Sequence, residues 1–199
     1  SAYSYYSQNY YSDAIFELNR FIELHPKNKN IAYANFLLAI CYYEQIVDEK
    51  KDLFSIIESK KKFNYIIKEY PNTDYAIDAE FKLNLIENIL ASKEMYVARF
   101  YMKKKKWIPA INRFKTVVND YDATIYTEEA LHRLVEIYYS IGLIEESKKY
   151  AVMLGYNYQS SEWYVQSFKV FNKDYKSKTE DIKKNTHNTI VQKVKSLLQ

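Results

Sequence analysis

Apolar residues recur at helical spacing along most of the chain. In four segments, small or apolar residues stand at i, i+4 and i+7, and each segment ends twelve residues after its first position. The first positions are all small residues, namely Ala14, Ser59, Ala110 and Ser147, and the endings are Pro26, Pro71, Asp122 and Gln159. This spacing predicts amphipathic helices in which a small residue allows a neighbouring helix to approach closely.

A second pattern precedes each of these helices. A small or aliphatic residue is followed three positions later by tyrosine, at Ala2 and Tyr5, Ala39 and Tyr42, Ala98 and Tyr101, and Val135 and Tyr138. The two patterns together match the helix pair of the tetratricopeptide repeat (TPR). The sequence therefore predicts an all-α, TPR-type α-solenoid of antiparallel helix pairs with an added C-terminal helix.

The predicted repeat array covers residues 1–171 and divides at about 1–28, 31–73, 74–123 and 125–171. The first repeat is truncated, so we expect an N-terminal segment of the natural protein to be missing. The other repeats exceed the usual length through a charged insertion around Val47–Leu53 and an extended or additional helix after Pro71. Ser160-Ser161-Glu162 can cap a helix that covers the last pair and carries Trp163, Tyr164, Phe168 and Phe171. Residues 172–199 are expected to form a polar linker and an amphipathic helix, which either folds back or docks on a partner.

The composition argues against several classes of fold and function. The 199 residues include two glycines and three prolines. This argues against an all-β fold, which needs many turns of positive φ, and against glycine-rich phosphate loops. The net charge of +4 is too small for a nucleic-acid partner to be expected. No apolar run reaches the roughly 18–20 residues of a membrane span, and no signal peptide is visible.

Catalytic and metal-binding motifs do not stand out. Cys41 is the only cysteine, which excludes an internal disulfide, and its apolar surroundings predict a small core residue. The three histidines are isolated along the chain, so neither a metal site nor a cofactor is predicted. Carboxylates on the predicted helices mostly line solvated faces. No enzyme activity is expected.

Two polar features could bind a partner. Lys103, Lys104, Lys105 and Lys106 precede Trp107 in the turn of one predicted helix pair. They form either a solvated turn or a contact for an acidic partner or anionic lipid headgroups. Arg113 stands at the edge of a core stripe, where it is either an ordinary surface arginine or one that pairs bidentately with a carboxylate.

Several blocks of sequence carry a more specific resemblance. They are the run Tyr96–Tyr101, the segments Trp107–Phe114 and Val118–Tyr121, the runs Leu24–Pro26, Ile31–Ala34 and Glu69–Ala76, and Ser161–Tyr164. Over most of residues 1–171 the chain resembles the BamD (ComL) family of outer-membrane β-barrel assembly lipoproteins.

The resemblance implies a non-catalytic scaffold on the periplasmic face of the outer membrane. Proteins of this family bind the last periplasmic POTRA domain of the barrel subunit BamA, act with the other BAM lipoproteins and help to deliver unfolded barrel precursors. We expect this chain to lack the lipid anchor that would hold such a protein to the inner leaflet. We expect that the N-terminal repeats, which are thought to meet precursor strands, are incomplete here.

The resemblance also suggests where partners bind. The Asn112-Arg113 helix matches the BamA-docking region, so Arg113 is the first candidate contact, with Asn112, Tyr101 and Trp107 nearby. The alternative is another TPR adaptor that captures an extended peptide in its concave groove, for which Tyr5, Tyr42 and Tyr43 are candidates.

Overall fold

The computed structural model describes residues 2–46 and 53–173, and it contains helices but no strand within these ranges. The helices are α1 (Ala2–Ser7), α2 (Tyr11–Leu24), α3 (Ile31–Glu44), α4 (Leu53–Glu69), α5 (Asp74–Lys103), α6 (Trp107–Asp120), α7 (Thr127–Ser140), α8 (Ile144–Asn157) and α9 (Glu162–Phe171). Neighbours along the chain pack together, as α2 does with α3 and α7 with α8. The predicted all-α fold of TPR-like helix pairs is confirmed.

The small residues lie where the repeat pattern predicts close helix contacts. The four first positions, Ala14, Ser59, Ala110 and Ser147, are all 0% exposed. In the last repeat the Ser147 hydroxyl donates a hydrogen bond to the Val135 carbonyl at 2.8 Å, which ties α8 to α7. A larger side chain at such a position would force the two helices apart.

The second helix of each pair ends in the same way. After α2, α4, α6 and α8, the next backbone N–H donates to the carbonyl four residues earlier, over 2.8 to 3.1 Å. The donors are His25, Tyr70, Tyr121 and Tyr158. Proline follows only the first two of them, so this ending does not depend on proline.

The turn inside three helix pairs also has one geometry. It is closed by a 2.9 Å hydrogen bond from the N–H of Tyr10, Lys106 or Leu143 to the carbonyl of the tyrosine five residues earlier. The residue before each donor has positive φ, with values of 63° at Asn9, 56° at Lys105 and 84° at Gly142. Glycine adopts this left-handed conformation without strain, whereas lysine does not.

Helix α5 is one continuous helix of 30 residues, which confirms an extended helix after Pro71. It begins where the Thr73 hydroxyl accepts the Ala76 N–H at 3.3 Å. The chain divides into two compact units, Ser1–Lys93 and Glu94–Gln199, and α5 contributes residues to each.

Unit 1 (Ser1–Lys93) contains two clusters of buried apolar residues. One lies between α2 and α3 and includes Leu18, Leu38 and Cys41. The other joins α3, α4 and α5 through Phe63 and Ile86. Cys41 is fully buried, as predicted. Burial is the main cause that raises the pKa of its thiol to about 12, and the negative charge of Glu44 adds to this effect.

In unit 2 (Glu94–Gln199), α9 covers the last helix pair as predicted. Its first turn is capped by Ser161, whose hydroxyl accepts the Trp163 N–H at 3.1 Å. The Trp163 ring packs 5.2 Å from the ring of His132 on α7. Gly155 on α8 leaves room for α9, since a Cβ there would lie 2.8 Å from the Tyr164 ring.

Three predicted segments fall wholly or mostly on residues that the structure does not describe. Most of the insertion around Val47–Leu53, the polar linker and the amphipathic C-terminal helix lie outside the described residues; Leu53 is the first residue of α4. The division at about 1–28, 31–73, 74–123 and 125–171 stays a prediction. In the described part of the chain, no helix is both long and apolar enough for a membrane span.

Candidate partner-binding site

Three of the four residues predicted to contact a partner line one cleft in unit 2. Tyr101 near the end of α5 lies beside Asn112 and Arg113 of α6, and Pro109 and Thr116 complete the lining. The cleft has a volume of about 280 Å³. Trp107, the fourth predicted residue, is half-buried at the start of α6 and does not line the cleft.

Packing of α6 explains this arrangement. Ala110 and Phe114 are both fully buried and hold one face of α6 against the core. Asn112 and Arg113 lie between them in sequence and are exposed on the other face. The apolar spacing of α6 therefore directs these two polar side chains towards solvent.

Arg113 is held in place by a carboxylate of α5. Its Nη1 donates to both carboxylate oxygens of Glu94, over 3.0 Å and 3.2 Å. The arginine side chain remains 49% exposed. Because only Nη1 is engaged in these bonds, Nε and Nη2 can still donate to the carboxylate of a partner.

A second set of ion pairs connects α5 to α7. The Arg99 Nε donates to Glu129 at 2.9 Å, and Arg133 approaches the same carboxylate at 3.4 Å. Burial acts to raise the pKa of Glu129, but Arg99 and Arg133 outweigh burial and lower that pKa. The Arg99–Glu129 ion pair connects the C-terminal part of α5 to α7, two residues before Tyr101. The sequence marks Arg99 only as part of the Tyr96–Tyr101 block, and its partner lies 30 residues away.

The lysine cluster lies in the turn between α5 and α6, as the repeat pattern predicts. Lys103, Lys104, Lys105 and Lys106 are all exposed. Ile108 follows in the first turn of α6 and is 75% exposed. The turn thus presents four positive charges beside an exposed apolar side chain.

The residues predicted for a peptide groove have different environments in unit 1. Tyr5 is exposed, whereas Tyr42 packs against the cluster of α2 and α3 and meets Phe54 edge-on at 6.3 Å. Tyr43 packs against the other cluster, 6.4 Å from the Phe63 ring. A groove formed by these three residues stays a prediction.

Metal-binding chemistry is not indicated by side-chain placement. Among residues 2–46 and 53–173, no three His, Cys, Asp or Glu side chains converge as a metal site would require.

Comparison with known proteins identifies the family. The profile of the family described as "YfiO: Outer membrane lipoprotein" matches residues 1–154. The chain belongs to this family. The membership confirms the resemblance found in the sequence blocks.

Curated relatives of this YfiO-family chain carry one name. The outer membrane protein assembly factor BamD of Rickettsia prowazekii is 46% identical over 169 residues, covering 85% of this chain and 67% of the relative. BamD of Caulobacter vibrioides is 42% identical over 172 residues, covering 86% of this chain. BamD of Neisseria meningitidis serogroup A is 30% identical over 152 residues and 71% of this chain. The chain spans 56% of the Caulobacter relative and 57% of the Neisseria relative.

Proposed function

We propose that this chain is a non-catalytic scaffold for outer-membrane protein assembly. It binds a POTRA domain of a BamA-type barrel subunit, acts beside other lipoproteins of that machinery and helps to deliver unfolded barrel precursors. Its YfiO family membership supports this function, as does the name that its relatives share. The observation that carries the docking proposal is the cleft formed by Tyr101, Asn112 and Arg113.

We also propose a position at the periplasmic face of the outer membrane, with a lipid anchor in the full-length protein. The family description as an outer membrane lipoprotein supports this position.

The chemistry of the cleft suits an acidic surface on a folded partner. Nε and Nη2 of Arg113 can form two parallel hydrogen bonds with one carboxylate, while Glu94 holds the guanidinium through Nη1. The Tyr101 ring supplies contact area at a small entropic cost, and the Asn112 amide can both donate and accept. An arginine oriented in this way loses little freedom on binding, so more of the contact energy contributes to affinity.

The experiment is a binding measurement with Arg113→Glu. We expect the affinity for the POTRA fragment of the cognate BamA-type subunit to fall by about 2 kcal/mol, or about 30-fold, because the variant places a negative charge against an acidic partner. Arg113→Lys should give an intermediate loss, since an ammonium keeps the charge but lacks the planar fork. Calorimetric titration of the full chain measures both variants.

Arg20→Glu is the matched control. Arg20 is an exposed arginine of α2 in unit 1, and its Nη1 lies 3.9 Å from Glu17. Reversal of this charge changes the net charge by the same amount and should leave the POTRA affinity unchanged. Equal affinity of Arg113→Glu and the parent chain would remove Arg113 from the interface, and an equal loss in both variants would indicate a long-range charge effect.

The alternative function, capture of an extended peptide by another kind of TPR adaptor, has less support. Tyr42 and Tyr43 follow one another on α3 and pack against different clusters, so one cleft does not readily collect both rings.

A further inference from the structure

The turn between α5 and α6 combines positive charge with exposed apolar surface. Lys103–Lys106 are exposed without exception. On either side of them, Phe100 is 53% and Ile108 is 75% exposed, and Trp107 between the lysines and Ile108 is half-buried. We call Lys103–Lys106 together with Ile108 the basic turn.

The charges of the basic turn are not neutralised within the part of the chain that the structure describes. Elsewhere in unit 2, Arg99, Arg113 and Arg133 each pair with a carboxylate. The Nζ atom of Lys148 lies 2.8 Å from Oε1 of Glu145. None of the four lysines forms an ion pair with another described residue. Their electrostatic field is therefore directed to solvent and to whatever approaches the turn.

The backbone of the basic turn is not optimised for stability. Lys105 has a φ of 56°, in a position where the corresponding turns carry Asn9 and Gly142. A lysine in the left-handed region costs about 1 kcal/mol relative to glycine. A non-glycine residue held in this conformation is a feature often found at binding sites, where a side chain is required in spite of the strain.

We propose that the basic turn binds the phosphate headgroups of an anionic phospholipid bilayer. Lysine suits this ligand because its ammonium is a compact charge on a flexible stem, able to follow headgroups that have no fixed geometry. Exposed basic and apolar side chains together are typical of segments that lie at a membrane interface. Ile108, two residues after Lys106, can enter the boundary between headgroups and acyl chains.

An acidic protein surface fits the basic turn less well. Recognition of carboxylates at fixed positions favours arginine, and the arginine suited to that purpose, Arg113, lines the cleft described above. All four lysines are exposed at the turn, so an extended charged surface can contact them at once. The contact uses other residues than those that line the cleft, and it would act as a second membrane attachment beside a lipid anchor.

Vesicle binding tests the proposal. The full chain is mixed with sedimentable vesicles of phosphatidylcholine containing 30% phosphatidylglycerol, or of phosphatidylcholine alone, and the bound fraction is measured. We expect binding to the anionic vesicles only, weakening as salt is added. The variant with Lys103→Gln, Lys104→Gln and Lys106→Gln should lose on the order of 100-fold in partition, since each lysine contributes about fivefold. Lys105 is kept so that the turn geometry is not altered.

A triple variant of α4, with Lys61→Gln, Lys62→Gln and Lys68→Gln, is the matched control. It removes the same charge from another helix and should bind anionic vesicles like the parent chain. An equal loss in both variants, or equal binding to neutral vesicles, would overturn the proposal.

Two further outcomes would also contradict it. Inorganic phosphate can be added at a concentration equal to that of the anionic headgroups. Displacement of the chain from the vesicles under this condition would indicate a site for free phosphate. A basic-turn variant that keeps vesicle binding but loses POTRA affinity would assign the lysines to a protein partner. Since vesicle binding and POTRA binding are measured separately, failure of one proposal leaves the other standing.

Discussion

His132 is a nearly buried polar residue whose hydrogen bond to Ser167 connects α7 to α9. Its ring is 4% exposed, with Nδ1 2.8 Å from the Ser167 hydroxyl and Nε2 3.5 Å from Glu136. The hydrogen bond between Nδ1 and the Ser167 hydroxyl joins the two helices, and the other ring nitrogen faces the Glu136 carboxylate. Arg133 also donates to Glu136 at 2.7 Å. His132, Arg133 and Glu136 therefore each have a polar partner in this cluster.

The carboxylate of Glu136 should make the stability of the chain pH-dependent. Burial acts to raise its pKa, but hydrogen bonds from His132 and Arg133 outweigh burial and lower the pKa to about 2. A lowered pKa stabilises the folded state above the ordinary value of about 4.3, and this contribution is lost as the pH falls from there towards 2.

We expect Glu136→Gln to lower the free energy of unfolding by about 1 kcal/mol at pH 6.5, a value reduced for the partial exposure of the side chain. The difference from the parent chain should shrink at pH 3, where the carboxylate of the unfolded parent chain is mostly protonated. Urea unfolding at both pH values measures it. Glu145→Gln, at an exposed carboxylate of α8, is the control. A difference that stayed the same at both pH values would contradict the role given to ionisation.

At the scale of elements, the repeated turn is the most informative structure. Tyr5, Tyr101 and Tyr138 each accept a hydrogen bond from the residue five positions later, and each turn needs one residue of positive φ. The repeat pattern locates these turns in the sequence. It does not reveal their backbone conformation, because the glycine that would signal it is present only at position 142.

Opposite substitutions in two of these turns test their conformational strain. We expect Lys105→Gly to raise the free energy of unfolding by about 0.5 kcal/mol, since relief of the left-handed strain exceeds the entropy that glycine costs. Gly142→Ala should lower it by about 1 kcal/mol, although a Cβ at this position meets no atom within 4 Å. Chemical denaturation of each variant gives the values.

Lys104→Gly is the control for the first substitution. It removes the same side chain from a neighbouring residue that does not have positive φ, so it should lower stability or leave it unchanged. If Lys104→Gly and Lys105→Gly stabilised the chain equally, relief of charge repulsion among the lysines would explain the effect better than backbone strain.

At the scale of the whole molecule, the single cysteine reports on the opening of unit 1. Cys41 is fully buried, and its thiol pKa is about 12. Since the thiolate is the reactive form, both burial and the raised pKa protect it. We expect a thiol reagent at pH 8 to label the folded chain at least about 1,000 times more slowly than the urea-unfolded chain, as a stability of about 5 kcal/mol implies.

Ser4→Cys in a Cys41→Ala background provides the reference rate. Ser4 is exposed on α1, so a cysteine there should react in the folded chain nearly as fast as in the unfolded one. Rapid labelling of Cys41 itself would show that the contacts between α2 and α3 open far more often than a stable core allows.

Much of the helix-pair organisation and part of the candidate site could be predicted from sequence. The spacing of small and apolar residues located the ends of α2, α4, α6 and α8, because those residues fill repeated contacts between neighbouring helices. The same spacing indicated that Arg113 lies at the edge of the apolar core stripe of α6. It did not distinguish Tyr101, which lines the cleft, from Trp107, which does not, since the difference depends on how α5 and α6 meet.

The sequence by itself determined the helices and the positions of their turns, because these depend on side-chain periodicity within one or two repeats. The family followed from blocks of sequence that resemble its members. Only the tertiary structure decided which polar groups meet. Hydrogen bonds join Arg113 to Glu94, Arg99 to Glu129 and His132 to Ser167, although these pairs are separated by 19, 30 and 35 positions in the sequence. The physical reason is that an ion pair or hydrogen bond depends on a few tenths of an ångström in helix packing, whereas burial of a helix face tolerates many sequences.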